Sequence, residues 1–326
     1  MKVPVDELRA FVFEKLAGVF DPEVASEVTA YLLWAETSGI STQGLVKLTG
    51  SNAMQHLVVD GEPVVDHQSA GSVRFDARNT PAPFVSVLVS KSAVRLASSQ
   101  GIGIAGYHNT QSSGGALAYY TDMAACDGYV AMMMARSPAS VSAFGGIDAV
   151  FGTNPIAYSI PTMDDPISFD AATSAFTRFG VVLADRRGES LPEGVAIDRD
   201  GVVTTSPADA LDGAILPYGG HKGSGLALLV EVLAGGLVGA GMGRRPGEWG
   251  AVLVAIDPGA LGDADVFRRA TSELVEEVRR SRAHEGEGPP RLPGERARRS
   301  RAECGRTGLV EVADDLLAEI GFLGTG

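Results

Sequence analysis

Gly219-Gly220-His221-Lys222-Gly223-Ser224-Gly225, running directly into the apolar stretch Leu226 to Leu233, decides how this chain is read. It is a glycine-rich turn that carries a cation and feeds a helix expected to be buried. A helix start presents backbone N–H groups with no intrahelical partner and the positive end of the helix dipole. Glycines let an anion come close to that backbone, and Lys222 adds a mobile positive charge. Taken alone, the same residues also describe a tight turn before a core helix, so the neighbouring sequence has to choose.

Composition narrows the choice. The chain has 326 residues, 45% apolar and 21% charged, long enough for two domains and a sizeable core. A net charge of -13 argues against broad nucleic-acid binding, which needs a basic face. The two cysteines, Cys126 and Cys304, form no metal-type spacing and no disulfide framework, so a cytoplasmic protein is expected. Met1 to Glu14 mixes charges among its apolar residues and does not read as a signal peptide. No apolar run reaches the ~20 residues of a membrane span. Leu226 to Met242 comes closest, but its glycines and Glu231 suit a packed helix. His-x-x-x-His, Glu-x-x-His and Cys-x-x-Cys pairings are absent from the sequence, and no metal site is expected.

Outward from the glycine turn, the pattern mixes helices and strands. Val5 to Ala17 has helical apolar spacing, and Asp21-Pro22-Glu23 starts a helix over Val24 to Ser38 that Gly39 can end. Leu45 to Val59 predicts a helix. Phe84 to Val89 is a short apolar run followed by a helix over Ser92 to Ser99. Gly101 to Tyr107 alternates like a buried strand, Ala116 to Cys126 is helical, and Tyr129 to Ala135 is a strand. Val150 to Pro161 is extended and turn-rich; Ser168 to Ala172, Gly180 to Leu183 and Ala251 to Ile256 are strand candidates. Val266 to Ser281 is an amphipathic helix, Ala283 to Glu303 a polar surface connection, and Val312 to Ile320 a last helix. This order implies an α/β or α+β protein. Gly101-Ile102-Gly103-Ile104-Ala105-Gly106 matches the G-x-G-x-x-G dinucleotide spacing, but its glycines fall inside a strand that follows a helix, so a structural role is expected.

The segment Gly219 to Ala240 resembles the malate/L-lactate dehydrogenase family, whose members bind their cofactor without a Rossmann fold. Ser137-Pro138 with Phe144-Gly145-Gly146, Phe151 to Ala157, Phe169 to Ser174, Leu191 to Gly194 and Leu292 to Arg296 continue the likeness in order, over nearly the whole chain. The resemblance implies an α/β enzyme with a non-Rossmann NAD(P)-binding domain, residues 76–295. It also implies a mainly helical substrate and dimer domain built from residues 1–75 plus about 296–326. It further implies NADH or NADPH as cofactor, a small carboxylate substrate and a homodimer. The segments carried over as cofactor-binding hold Asp170, Thr173, Ser174, His221, Lys222, Gly223, Gly294 and Glu295. The glycine loop and Lys222 suit a pyrophosphate, and the Thr173 and Ser174 hydroxyls suit phosphate or ribose. Asp170 reads equally as a cap carboxylate, and Glu295 as a solvated one.

The chain departs from the family where the family does its acid–base chemistry. The usual Ser-His-Gly with a following arginine is Thr42-Gln43-Gly44-Leu45-Val46-Lys47 here, so Gln43 stands at the general-acid histidine and Lys47 at the carboxylate-gripping arginine. The second family histidine falls on Ser112 or Ser113, with His108 nearby as a substitute and Arg136 as a further anion-binding candidate. Glutamine donates a hydrogen bond but no proton at neutral pH. Reduction of a ketone needs that proton, whereas a protonated imine brings its own. The expectation is therefore hydride transfer to a carboxylate-bearing C=N or C=O group in a biosynthetic role. A non-redox isomerase or cyclisation/elimination catalyst, or a ligand-binding member of the same fold, is the alternative.

Overall fold

The structure is a computed structural model that describes residues 1–50, 53–244, 249–286 and 288–323. The chain opens with β1 (Lys2–Pro4), α1 (Val5–Ala17) and α2 (Pro22–Thr37). Leu8, Val12 and Leu16 recur at helical spacing and bury one face of α1 against α2. Where Leu45 to Val59 predicts a helix, the chain makes short 3₁₀ turns, Ser41–Gln43, Leu45–Leu48 and Met54–His56, with Gly50 at φ +73° between the last two.

Next come β2 (Val64–Gln68), β3 (Ser72–Asp76), α3 (Ala82–Gln100), β4 (Ile102–Thr110), α4 (Ala118–Cys126) and β5 (Val130–Arg136). The apolar run and short helix expected over residues 84–99 are one continuous α3, started by Pro81 and ended by Gly101 in the left-handed region. The G-x-G-x-x-G spacing starts at Gly101, which ends α3, and continues along β4, between β3 and a later strand, and not in a phosphate loop.

After β6 (Val141–Ser142), β7 (Ala149–Phe151), β8 (Ile156–Ile160) and β9 (Ile167–Ala171) comes α5 (Arg178–Arg187). The strand expected at Gly180 to Leu183 is thus helical. The Thr177 hydroxyl accepts from Gly180 N at its start, and Gly188 closes its end. Then follow β10 (Ala196–Ile197), α6 (Pro207–Asp212), β11 (Ala214–Ile215) and α7 (His221–Val230), which continues as a π-helical stretch over Glu231–Gly236. The chain closes with β12 (Trp249–Ile256), α8 (Ala264–Arg280), α9 (Glu295–Thr307), β13 (Leu309–Glu311) and α10 (Asp314–Glu319). The second half of the expected surface connection Ala283 to Glu303 is therefore mostly α9, and the last helix begins two residues late because Val312 follows a strand.

The main sheet runs β2-β3-β4-β12-β5-β8-β9. Its β3/β4 pair is parallel, joined over α3, and the other pairs are antiparallel, with β12 inserted between β4 and β5. A parallel Rossmann sheet is thereby excluded. A smaller sheet, β10-β11-β6-β7, carries α5 and α6 around Val141, Val181, Leu191 and Ile215. β1 pairs with β13, so the two ends of the sequence meet beside α1. One apolar core runs from Val3 and Leu8 through Val85 of α3 to Met133 and Leu253 of the sheet. The boundary expected after residue 75 falls inside β3, whose register with β4 binds it to the sheet. No helix among the described residues is long and apolar enough to cross a membrane.

Candidate active site

Gln43 and Lys47 sit together on the two 3₁₀ turns after α2. Two buried groups of α2 hold this segment from behind. Glu36 Oε2 accepts from Leu45 N at 3.0 Å, and Tyr31 Oη donates to the Gln43 carbonyl at 3.1 Å. Burial pushes the Glu36 carboxyl up to about 7. The Gln43 side-chain Oε1 is buried and has no hydrogen-bond partner, a state that folded proteins rarely leave unexplained. Lys47 is half-buried, and its Nζ lies 5.3 Å from the centre of the Phe179 ring at the start of α5. Among the described residues it has no carboxylate partner, and burial lowers its ammonium to about 8. A glutamine with a spare acceptor and a lysine with a spare charge thus share one short segment that faces α5. Behind it, a groove of about 370 Å³ runs past Glu36, Ser41, Val46 and Arg186.

The other acid–base candidates are occupied. Ser112 Oγ accepts from Ala82 N at 2.6 Å and so caps α3, and Ser113 Oγ accepts from Gly115 N inside its own turn. His108 is not available to this cleft. Its Nε2 lies 2.8 Å from Asp66 Oδ2 at the β2–β4 side of the sheet, where Asp66 also takes two hydrogen bonds from Arg74. Asp170, at the end of β9, accepts from Ala118 N at 3.0 Å and serves the start of α4. It is densely surrounded while keeping some exposure, and burial raises its carboxyl to about 7.

Of the cofactor candidates, His221, Lys222, Gly223 and Thr173 meet at the start of α7, while Gly294 and Glu295 lie at the start of α9. His221 and Lys222 are exposed, and Lys222 has no ion pair among the described residues. His221 packs edge-on against Phe144, whose backbone N donates to Ser224 Oγ. Tyr218 N donates to Thr173 O, joining the loop to the end of β9. Gly223 marks the tightest approach, because a Cβ there would lie 2.2 Å from Tyr218 O and 2.6 Å from Thr173 O. The Thr173 and Ser174 hydroxyls, both buried, donate to the carbonyls of Thr153 and Phe176. Gly294 starts α9, with φ +84°; Glu295 follows it and is paired at 3.0 Å with Arg279, so it is not a solvated carboxylate. The exposed cation at the positive end of the α7 dipole and the open space beside Gly225 fit the pyrophosphate of a dinucleotide.

Sequence reasoning missed what fixes α7. Arg136 is fully buried and pairs with Glu231 at 3.1 Å; it is not a ligand-facing cation. Glu231 Oε2 accepts from Asn154 Nδ2 at 2.8 Å, and Glu231 Oε1 accepts from Gly243 N at 2.7 Å. Asn154, buried with φ +39°, also donates to Ala227 O of α7 and accepts from Ser137 N. The π-helical stretch begins at this glutamate. The helix expected to be buried is covered on one side only, with Leu226, Leu228, Leu229, Val232 and Leu237 exposed. Among the described residues, no group of three or more His, Cys, Asp or Glu side chains is placed to hold a metal ion.

The antiparallel-dominated sheet and the glycine-rich, lysine-bearing start of α7 together fit a dinucleotide-dependent enzyme outside the Rossmann class. A family model for malate/L-lactate dehydrogenase matches residues 3–321, and the chain belongs to that family. It is an NAD(P)-dependent oxidoreductase. It is 33% identical to the L-sulfolactate dehydrogenase of Methanothermobacter thermautotrophicus, over 98% of this chain and 95% of that protein. It is 36% identical to the Δ1-pyrroline-2-carboxylate/Δ1-piperideine-2-carboxylate reductase of Pseudomonas syringae pv. tomato, over 90% of this chain and 88% of that one. The solved Δ1-piperideine-2-carboxylate reductase from P. syringae superposes with a TM-score of 0.87 at 32% identity, covering 99% of this chain and 100% of that one.

Proposed function

We propose that the enzyme reduces a small carboxylate-bearing cyclic imine. The observation that carries this reading is the Gln43–Lys47 pair, in which a buried amide oxygen without a partner lies four residues from an unpaired cation. Lys47 receives the substrate carboxylate, and Gln43 Oε1 accepts from the N–H of a protonated imine. Lys222, His221 and the Gly219–Gly223 loop beside Thr173 and Ser174 would hold NADH or NADPH, which would supply the hydride. Addition to the carbon of C=N–H⁺ gives a neutral amine, so no protein group has to release a proton. The relatives named as pyrroline- and piperideine-2-carboxylate reductases support this substrate class. Reduction of a 2-oxo acid is the second reading, favoured by the relatives named as sulfolactate dehydrogenases. It requires an acid that neither Gln43 nor the engaged His108 provides.

The division of labour we propose follows the sequence, with residues 1–75 plus about 296–326 carrying the substrate groups and 76–295 the cofactor groups. A homodimer is supported by the exposed leucines of α7, an apolar face that water would otherwise cover. The unpaired cysteines fit a cytoplasmic enzyme. The first test is titration with NADH and NADPH by nicotinamide fluorescence, followed by turnover of Δ1-piperideine-2-carboxylate and of 2-oxo acids. Lys222→Ala is expected to weaken cofactor binding, and Gln43→His to raise 2-oxo-acid reduction. Preferred turnover of 2-oxo acids by the unaltered enzyme would select the second reading.

A further inference from the structure

Gln43 and Ser112 or Ser113 are the two places where the family resemblance puts acid–base groups, and a single phenol connects Gln43 to the turn at Gly114–Ala116 directly after those serines. Tyr31, in the middle of α2, is fully buried. Its oxygen accepts from Ala116 N at 2.7 Å and donates to the Gln43 carbonyl at 3.1 Å. One hydroxyl has one proton and spare lone pairs, so the two bonds do not compete. The ring stacks on Tyr120 at 5.8 Å and meets Tyr119 edge-on at 5.6 Å. Tyr120 Oη in turn donates to Gly114 O at 2.7 Å. The turn is cut to admit the phenol. Gly115 has φ +73°, and a Cβ there would lie 1.7 Å from Tyr31 Oη. Burial raises the Tyr31 hydroxyl well above its ordinary value, so it remains a donor throughout the working range.

We propose that Tyr31 is a positioning residue, which sets where Gln43 meets the substrate by tying its backbone to the Gly114–Ala116 turn. The proposal rests on the reading that Gln43 faces substrate. With its carbonyl held by Tyr31, Gln43 keeps a buried side-chain Oε1 that has no protein partner, and this is the atom the proposed substrate N–H would meet.

Tyr31→Phe keeps the stacked ring and removes both hydrogen bonds. Hydrogen exchange read by mass spectrometry is expected to quicken about tenfold or more in the segments around Gln43 and Ala116, with α7 and β12 unchanged. NADH affinity should stay within about twofold, while kcat/KM for Δ1-piperideine-2-carboxylate falls by about tenfold or more. Gly115→Ala, which expels the phenol, should reproduce both effects. Val12→Ala, on the buried face of α1, lowers Tm without touching either segment and should leave kcat/KM unaffected. Unchanged exchange in either segment after Tyr31→Phe overturns the proposal. So does a fall in kcat/KM that Val12→Ala matches at equal loss of Tm. Gln43→Ala separates the two readings. If it leaves kcat/KM intact, the substrate reading of Gln43 fails, and the exchange data still judge the tie.

Discussion

Lys47→Met keeps the length and the apolar contact of the side chain over Phe179 while deleting its charge. Two unit charges about 4 Å apart attract by roughly 4 kcal/mol at an effective dielectric constant near 20. Desolvating the carboxylate and freezing the lysine offset part of this, and deletion of a charged hydrogen bond costs about 1.5–3 kcal/mol. The expected result is a KM for the carboxylate substrate raised about 10- to 150-fold, with NADH affinity unchanged. The charge also titrates within reach, because burial lowers it from 10.5 to about 8. For the unaltered enzyme, kcat/KM should be level below that value and fall tenfold per unit well above it. Stability moves the other way. Between about 8 and 10.5 the unfolded lysine holds a proton that the folded one has lost, so at this site folding is favoured as pH rises. Loss of activity there is thus loss of carboxylate binding and not unfolding. Lys47→Arg keeps its charge and should abolish the alkaline limb. Steady-state oxidation of NADH across this range is the assay. A profile flat to a full unit above the lysine value, together with a less than threefold change in KM for Lys47→Met, would refute the reasoning.

Three further outcomes are expected. Glu36 holds its proton up to about 7 when folded against 4.5 when unfolded, so its contribution is greatest in acid and declines as pH rises through that window; Glu36→Gln should flatten the slope and raise stability at pH 8 by about 1–3 kcal/mol, and an unaltered slope in denaturation would contradict this. Gly223→Ala drives a methyl into the carbonyls of Tyr218 and Thr173, so the Kd for NADH should rise at least about tenfold; retained affinity would remove the loop from the cofactor site. Asn154→Leu leaves Glu231 and Ser137 N short of partners and should cost about 3–5 kcal/mol in chemical denaturation; a loss under about 1 kcal/mol would show that the buried pair needs no third member.

Legibility in the sequence tracked the kind of force involved. α1, β4 and β5 follow apolar periodicity because each buries one side against a continuous core, and β12 reads as an apolar run because it is buried on both faces. α5 escaped because Gly180 to Leu183 is a short apolar run that suits strand or helix equally, and the decision lies with the Thr177 cap and the left-handed Gly188. α9 escaped because it docks through polar groups. Ser300 bonds to Thr37 O, and the Arg301 guanidinium lies 4.8 Å from the Trp34 ring centre, so no apolar stripe announces it. Leu226 to Leu233 suggested a buried helix because a leucine run carries no sign of which neighbour covers it. In the proposed site, Gln43 and Lys47 stand out in the sequence as substitutions within a motif. Tyr31, Glu36 and Phe179 do not, because their roles come from contacts across the fold.

The pairing of β1 with β13, and the place of β12 between β4 and β5, bear on how the molecule is made. A ribosome delivering this chain releases β4 and β5 long before Ile256 completes the strand that joins them. Leu8 and Val12 of α1 likewise wait for Val310 and Leu317 to reach the same core. Contacts so distant along the sequence slow folding and leave open strand edges and apolar faces in the interval. The nascent enzyme therefore acquires its centre late and its helical cover last. Truncation within β13 would strand the first helix without a partner, although that helix was the first to be synthesised.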